Sequence, residues 1–419
     1  MRIHSILVSL TITILAMTPL AACNRAAEED AIVYWRTLTG RAGEAQDELA
    51  SRYNASGPTR PVRAQFQGGY GDLRTKLLTA LAGGGGPDIT QLGSFEILEF
   101  ARAGALVDLQ PFVDGPDGID LADWPGTLAD SGRVEGGLYW LPFNVSVPIL
   151  YYNAEAFTEA GLDGPPETWD DFFEAARRLT VVENGRTMRY GLALWDMTWP
   201  IVSAIWSEGG MLTNGDYSAI SLDHPAAIAV LTRFQELVKE GAAILPEQAA
   251  GGHRAWFTSG RAAMILDSPA PYADITRAAR GFNVRTAQYP AGTAGRVYAP
   301  GGGGIAILAS CPEHKRADAW RFVRYLLEAE NLAWYATESG YAPFTASARA
   351  IANDSHPEMA DINGALAHIQ GDFSLNMSPA LRDAFDRAFM RIMLEGADVG
   401  ETLRTANAEA ARRIARDGL

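Results

Sequence analysis

Apolar residues in this chain fall into short runs, and the stretches between them carry apolar positions at helical spacing. Residues 31–35 (Ala-Ile-Val-Tyr-Trp) have the pattern of a buried strand, and 43–54 places Ala45, Leu49 and Tyr53 on one helical face. Residues 61–66 alternate as a second strand, and 72–82 form a helical pattern stopped by four glycines and Pro87. A third short strand follows over 88–92. Strand, helix, strand, helix, strand at this pace predicts an α/β fold with a parallel sheet covered by helices. The middle of the chain repeats the theme. Residues 147–152 are strand-like, and Thr168 and Asp171 have capping-box spacing ahead of a helix over 169–179. Asp223 is placed to cap a helix with Pro225 in its first turn, running to Lys239 and stopping at Gly241. Residues 262–266 are another buried-strand candidate. Beyond them, 312–337 (Trp320, Val323, Leu326 and Leu327 on one face), 379–394 and 401–414 are predicted helical. No internal repeat is present.

The first residues follow a different logic. Arg2, an apolar core over 6–20 and the sequence Leu20-Ala21-Ala22-Cys23 form a short export signal that ends in small residues before a cysteine. Leu-Ala-Ala-Cys resembles the lipobox of bacterial lipoproteins. That resemblance implies removal of 1–22, acylation of Cys23 and a polar tether over 23–30. Cys311 would then have no disulfide partner, although the compartment is oxidising. No later apolar run has membrane-spanning length.

Composition narrows the chemistry. A chain of 419 residues has room for two domains, and its net charge of -15 contains no basic run of the kind nucleic acid or a membrane-surface helix requires. The six histidines are scattered without ligand spacing, so no metal site is expected. Neither glycine run, 83–86 or 301–304, is followed by the Lys-Ser/Thr pair of a phosphate loop, and no Gly-x-Ser-x-Gly elbow occurs. No cofactor is expected. A glycosidase remains the rival reading, with Asp196, Glu208 and Asp267 as candidate carboxylates.

Aromatic residues at loop positions point elsewhere. Trp35 ends a strand, Tyr70 follows two glycines, Trp195, Trp199 and Trp206 crowd one segment, and Tyr341 follows Gly340. Flat apolar rings beside short polar side chains suit the faces and hydroxyl edges of sugars.

Several ordered segments also match a known family. They are 142–153 (Pro-Phe-Asn-Val-Ser-Val-Pro-Ile-Leu-Tyr-Tyr-Asn), Pro166-Glu167-Thr168-Trp169, 257–264 with its Ser-Gly turn, Gly301-Gly302-Gly303, and Ser339-Gly340-Tyr341-Ala342-Pro343. The chain resembles the extracytoplasmic solute-binding proteins of bacterial ABC importers, in the carbohydrate-binding group, most closely its glycerol-3-phosphate-binding members. The resemblance implies a two-lobe periplasmic-binding-protein fold of type II-like form, with a ligand cleft between lobes and hinge crossovers. It places 31–138 with 293–345 in lobe 1 and 139–292 with 346–419 in lobe 2. It also implies hinge closure on a small molecule, docking on permease subunits, a monomeric chain and a periplasmic, lipid-anchored location.

Carried over position by position, the resemblance puts Tyr70, Ser146, Ser268, Gly302 and Tyr341 at ligand contacts and Trp195 and Trp199 in the cleft wall. Two positions depart. Ser94 stands where those members have an acid for glycerol hydroxyls, and Ser374 where they have an arginine for phosphate. Without a guanidinium a phosphate loses charge-assisted bonds, so the departure favours a neutral sugar, a di- or oligosaccharide. Glycerol 3-phosphate or a glycerophosphodiester is the alternative. Arg36, beside Trp35 at the cleft edge, is either a substitute cation or a surface arginine. Asn144, Ser94 and Asp267 are candidate hydroxyl partners or local caps. Gly302 and Gly303 are expected to let backbone amides approach the ligand.

Overall fold

The computed structural model describes residues 30–213, 219–247, 252–355, 360–369 and 379–417. Cys23, the signal and tether before residue 30, and Ser374 lie outside these residues. Ten strands carry the architecture: β1 (Ile32–Arg36), β2 (Val62–Phe66), β3 (Ile89–Gly93), β4 (Leu141–Ser146), β5 (Ile149–Asn153), β6 (Arg186–Ala193), β7 (Ala243–Ile244), β8 (Ala262–Asp267), β9 (Val284–Ala287) and β10 (Gly301–Ile307). The first sheet has the order β2-β1-β3-β10-β4, and the second β7-β6-β8-β5-β9. In each sheet a parallel half continues into an antiparallel one: β1 runs parallel to β2 and β3, and β10 antiparallel to β3 and β4. In the second sheet β6 runs parallel to β7 and β8, and β5 antiparallel to β8 and β9.

Central strands read as continuous apolar or small runs because helices cover both faces. Every residue of β3 and β8 is buried. In lobe 1, Phe322 of helix Glu313–Leu326 meets Tyr34 at 5.6 Å and Tyr53 at 5.1 Å, sealing helix Gly40–Ala55 and β1 into one core. In lobe 2, Phe173 and Phe234 pack edge to face at 4.9 Å, joining helix Trp169–Leu179 to helix Pro225–Lys239. Gln235 of the latter donates to the carbonyls of Ile392 (3.0 Å) and Ala397 (2.8 Å), which docks helix Pro379–Glu395 on this lobe.

The chain crosses between lobes at Val147 and Pro148, again over 288–300, and a third time beyond helix Ala346–Ser355. These crossings differ from the expected division at two points. Residues 141–146, assigned to lobe 2, form β4 at the edge of the first sheet, because Ser146, Val145 and Asn144 pair with Gly301, Gly302 and Gly303. Helix Ala346–Ser355, also assigned to lobe 2, stays with lobe 1, where the Ser347 amide donates to Asp123 at 3.0 Å.

The Thr168–Asp171 capping box forms as its spacing requires. The helix from Pro225 is capped by His224 instead of Asp223, its Nδ1 accepting from the Ala226 amide at 3.1 Å. The region 312–337 is two helices, Glu313–Leu326 and Ala329–Ser339, broken at Leu327 and Glu328. Helix Trp199–Ser207 and strands β4, β6, β9 and β10 have no counterpart in the periodicity. The helix is buried all round and so shows no amphipathic period, and β10 begins with four glycines, poor strand formers. Among the described residues no helix is long and apolar enough to cross a membrane.

Candidate functional site

The two sheets meet where β4 and β8 end. Ser146 Oγ lies 2.8 Å from Ser268 Oγ across the lobes, and the Tyr151 hydroxyl donates to the Ser268 carbonyl at 2.8 Å. Two cavities open around this junction. The inner one, about 460 Å³, is walled by Glu96, Ser146, Met197, Trp199, Trp206, Gly301, Gly302 and Arg382, among others. The outer one, about 850 Å³, is walled by residues 37–42, Phe66, Arg254, Tyr272 and 337–340. Tyr70, Trp195, Ser268 and Tyr341 belong to both.

Tyr70 reaches the junction because Gly68, at φ +98, turns the chain into helix Tyr70–Ala82. Its hydroxyl accepts from Asn144 Nδ2 at 2.9 Å, Asn144 Oδ1 accepts from Gln91 Nε2 at 2.7 Å, and Gln91 Oε1 accepts from the Thr37 amide at 2.8 Å. A buried chain of this kind fixes the phenol in one place. Tyr341 is turned inward by Gly340, which ends helix Ala329–Ser339 at φ +75. Burial pushes the Tyr341 phenol up to about 12, so it meets a ligand protonated.

The floor of the inner cavity needs its glycines for packing. A Cβ at Gly301 would lie 2.5 Å from the Trp199 ring, and one at Gly303 2.4 Å from the Tyr70 hydroxyl. Gly302 holds φ +99, where a Cβ would lie 1.9 Å from the Asn144 carbonyl oxygen. Trp199 donates to the Ala299 carbonyl at 3.2 Å, and its helix starts where Asp386 accepts from the Thr198 amide at 3.0 Å. Trp195 stacks on His253, with centroids 5.1 Å apart, and meets Trp199 edge on at 6.3 Å.

The inner cavity takes charged groups from both lobes. Glu96 is buried, receives the Gly93 amide at 2.9 Å, and its carboxyl is pushed up to about 7 by burial. Arg382, Asp383 and Asp386 enter from helix Pro379–Glu395 of the opposite lobe. Among the described residues there is no group of three or more potential metal ligands.

Of the residues singled out from the sequence, Tyr70, Ser146, Trp195, Trp199, Ser268, Gly302 and Tyr341 converge on the cavities. Others line neither. Trp35 donates to Gln65 on the neighbouring strand at 3.0 Å. Arg36 is buried in a bidentate pair with Asp47 and is therefore no cation for the cleft. Ser94 is fully buried behind the wall, Asn144 is engaged with Gln91 and Tyr70, and Gly303 faces the Tyr70 hydroxyl. Asp267 is fully buried, and His253, Arg254 and the Ser268 amide occupy both its oxygens.

Glu96, Arg382 and Arg254 escaped the sequence reading. Glu96 stands two residues beyond Ser94, and a short helical turn, Ser94–Glu96, carries the carboxyl to the cavity. Arg382 stands eight residues beyond Ser374 on the inward side of its helix.

The chain matches the bacterial extracellular solute-binding protein family over residues 38–333, and it belongs to that family. The family comprises solute-binding proteins of ABC importers, not enzymes. Among curated relatives, the sn-glycerol-3-phosphate-binding periplasmic protein UgpB of Rhizobium meliloti is 27% identical over 75% of each chain. UgpB of Escherichia coli is 25% identical over 78% of this chain and 77% of its own. Among solved structures, UgpB from Mycobacterium tuberculosis in complex with glycerophosphocholine superposes with a TM-score of 0.81 at 25% identity, covering 93% of this chain and 99% of its own. The acarbose-binding GacH receptor of Streptomyces glaucescens, 23% identical over 92% of this chain and 98% of its own, shares the fold at a TM-score of 0.78.

Proposed function

We propose that the protein captures a glycerophosphate, either glycerol 3-phosphate or a glycerophosphodiester, and delivers it to its permease by cleft closure. The carrying observation is the inner cavity, where Arg382 and Glu96 enter from opposite lobes beside Ser146, Ser268, Tyr70 and Tyr341. The guanidinium suits a phosphate oxygen, and the carboxyl and hydroxyls suit a glycerol diol. The sequence argument for a neutral ligand rested on the absence of such a cation and acid, and it loses its premise once both stand in one cavity. The similarity to UgpB supports the same reading. A neutral di- or oligosaccharide is the second reading, favoured by the ring walls Trp195 and Trp199 and by the size of the two cavities together. On either reading the Leu-Ala-Ala-Cys23 motif supports a lipid-anchored, periplasmic location.

Thermal melts with glycerol 3-phosphate, glycerophosphocholine, maltose and maltotriose separate the two, because a compound that binds only the folded state raises Tm with concentration. A rise with the glycerophosphates and none with the sugars is expected. The reverse would overturn the ligand assignment, and chemical turnover of any compound would overturn the binding-protein reading.

A further inference from the structure

Asp267 looks like a ligand residue in sequence, yet it has no lone pair left for a ligand. Oδ2 accepts from His253 Nε2 (2.8 Å) and Arg254 Nε (2.6 Å), while Oδ1 accepts from Arg254 Nη2 (2.9 Å) and the Ser268 amide (2.6 Å). Those four bonds fill the roughly four acceptor sites of a carboxylate. Burial alone would raise this carboxyl, but the bonds from His253 and Arg254 outweigh it and hold the group below the usual range. Asp267 is thus a fixed anion with two arms.

Both arms end on one ring. The His253 imidazole lies nearly parallel to Trp195, 5.1 Å and 23° from it, and the Arg254 guanidinium sits 5.6 Å from the same ring centroid. Trp195 is one of four side chains common to the inner and outer cavities. It lies between the end of β6 and helix Trp199–Ser207, so those flanking elements leave its ring orientation to the side chains packed on it.

We infer that His253 and Arg254, both anchored on Asp267, are positioning residues that hold the Trp195 ring as a partition between the inner and outer cavities. The partition sets how far a ligand seated in the inner cavity extends past the ring. The inference rests on the proposed binding role of the cleft, which it deepens: the compounds it sorts are short and extended members of one ligand series.

The experiment uses the mature protein and begins without ligand. Subtracting the near-UV circular dichroism of Trp195→Phe from that of the parent isolates the Trp195 signal. His253→Ala and Asp267→Asn, each with its own Trp195→Phe control, should reduce that signal at least two-fold, whereas His253→Phe, which keeps a flat ring on Trp195, should restore it. If Asp267→Asn does not fold, His253→Ala carries the test, since it leaves the Arg254–Asp267 pair in place. A purely structural role would lower Tm and leave the Trp195 signal intact, and that result would overturn the inference. The same variants should change the ratio of glycerophosphocholine to glycerol 3-phosphate affinity at least five-fold. A changed ring signal with an unchanged ratio would overturn the claim about ligand reach. If neither compound binds the parent protein, the ligand reading of the preceding section falls, and the ligand-free spectra still decide this one.

Discussion

The inner and outer cavities share four walls but are built on opposite principles. In the inner cavity, charge comes from both lobes, with buried Glu96 from one and half-buried Arg382 from the other, over a floor of glycines on which aromatic rings rest. In the outer cavity, charged groups are already matched close at hand. Arg41 pairs with Glu338 at 3.1 Å, Asp274 with Arg277 at 3.2 Å, and Arg254 with Asp267. The first two of these pairs are exposed to water, and such pairs add little to stability and are screened by salt. Selectivity should therefore concentrate in the inner cavity, while the outer one supplies space.

This contrast can be broken by substitution. The largest expected effect is Gly302→Ala in the inner floor. A Cβ there meets the Asn144 carbonyl and strains a φ of +99, so denaturant unfolding should show a loss of about 4 kcal/mol, with ligand-induced melting shifts abolished. A tolerated alanine would show that the floor is not the rigid element.

Next is Glu96→Gln. Burial raises the folded carboxyl from its ordinary value of 4.5 to about 7, so between those values the folded state holds the proton more tightly than the unfolded state. Stability linked to Glu96 is therefore fully present below pH 4.5 and is lost as pH rises through 7, a decline of up to about 3 kcal/mol. The Gln variant should lack this decline in a series of melts from pH 4.5 to 8. An anion bound beside Glu96 favours its protonated form, so affinity for a phosphodiester should rise as pH falls through 7, a trend the Gln variant should also lack.

Arg382→Gln should cost a phosphate ligand about 2 kcal/mol by isothermal titration and leave a neutral sugar nearly unaffected. Equal losses for both would move the phosphate away from the inner cavity. The smallest effect belongs to the outer wall. Arg41→Gln should change stability and affinity by about 0.5 kcal/mol or less, since both partners of its pair face water.

How much of this was legible depended on whether the signal was local. The first glycine run, 83–86, is the helix stop its pattern predicts: helix Tyr70–Ala82 ends there, and a Cβ at Gly84 would meet nothing within 4 Å. The second run, 301–304, gave no strand signal, because its reason for being glycine lies in Trp199, Asn144, Tyr70 and Trp140, residues far away in sequence. Seven of the carried-over site residues reach the cavities: Ser146 and Ser268 at strand ends, Tyr70 and Tyr341 after glycine turns, Gly302 on the strand floor, Trp195 beyond the end of β6 and Trp199 at the start of the next helix. Trp35 and Arg36 also end a strand, yet Gln65 on the neighbouring strand and Asp47 on the following helix claim them.

The sequence by itself determined the α/β class, most helix positions and the family, because periodicity, caps and ordered motifs are properties of neighbouring residues. Only the tertiary structure decided which groups face the cleft. A polar side chain's availability depends on the partners that folding brings to it, and these are set by long-range pairing. Asp267 is engaged by His253 and Arg254 and Arg36 by Asp47, whereas Glu96 and Arg382 reach one cavity from two lobes.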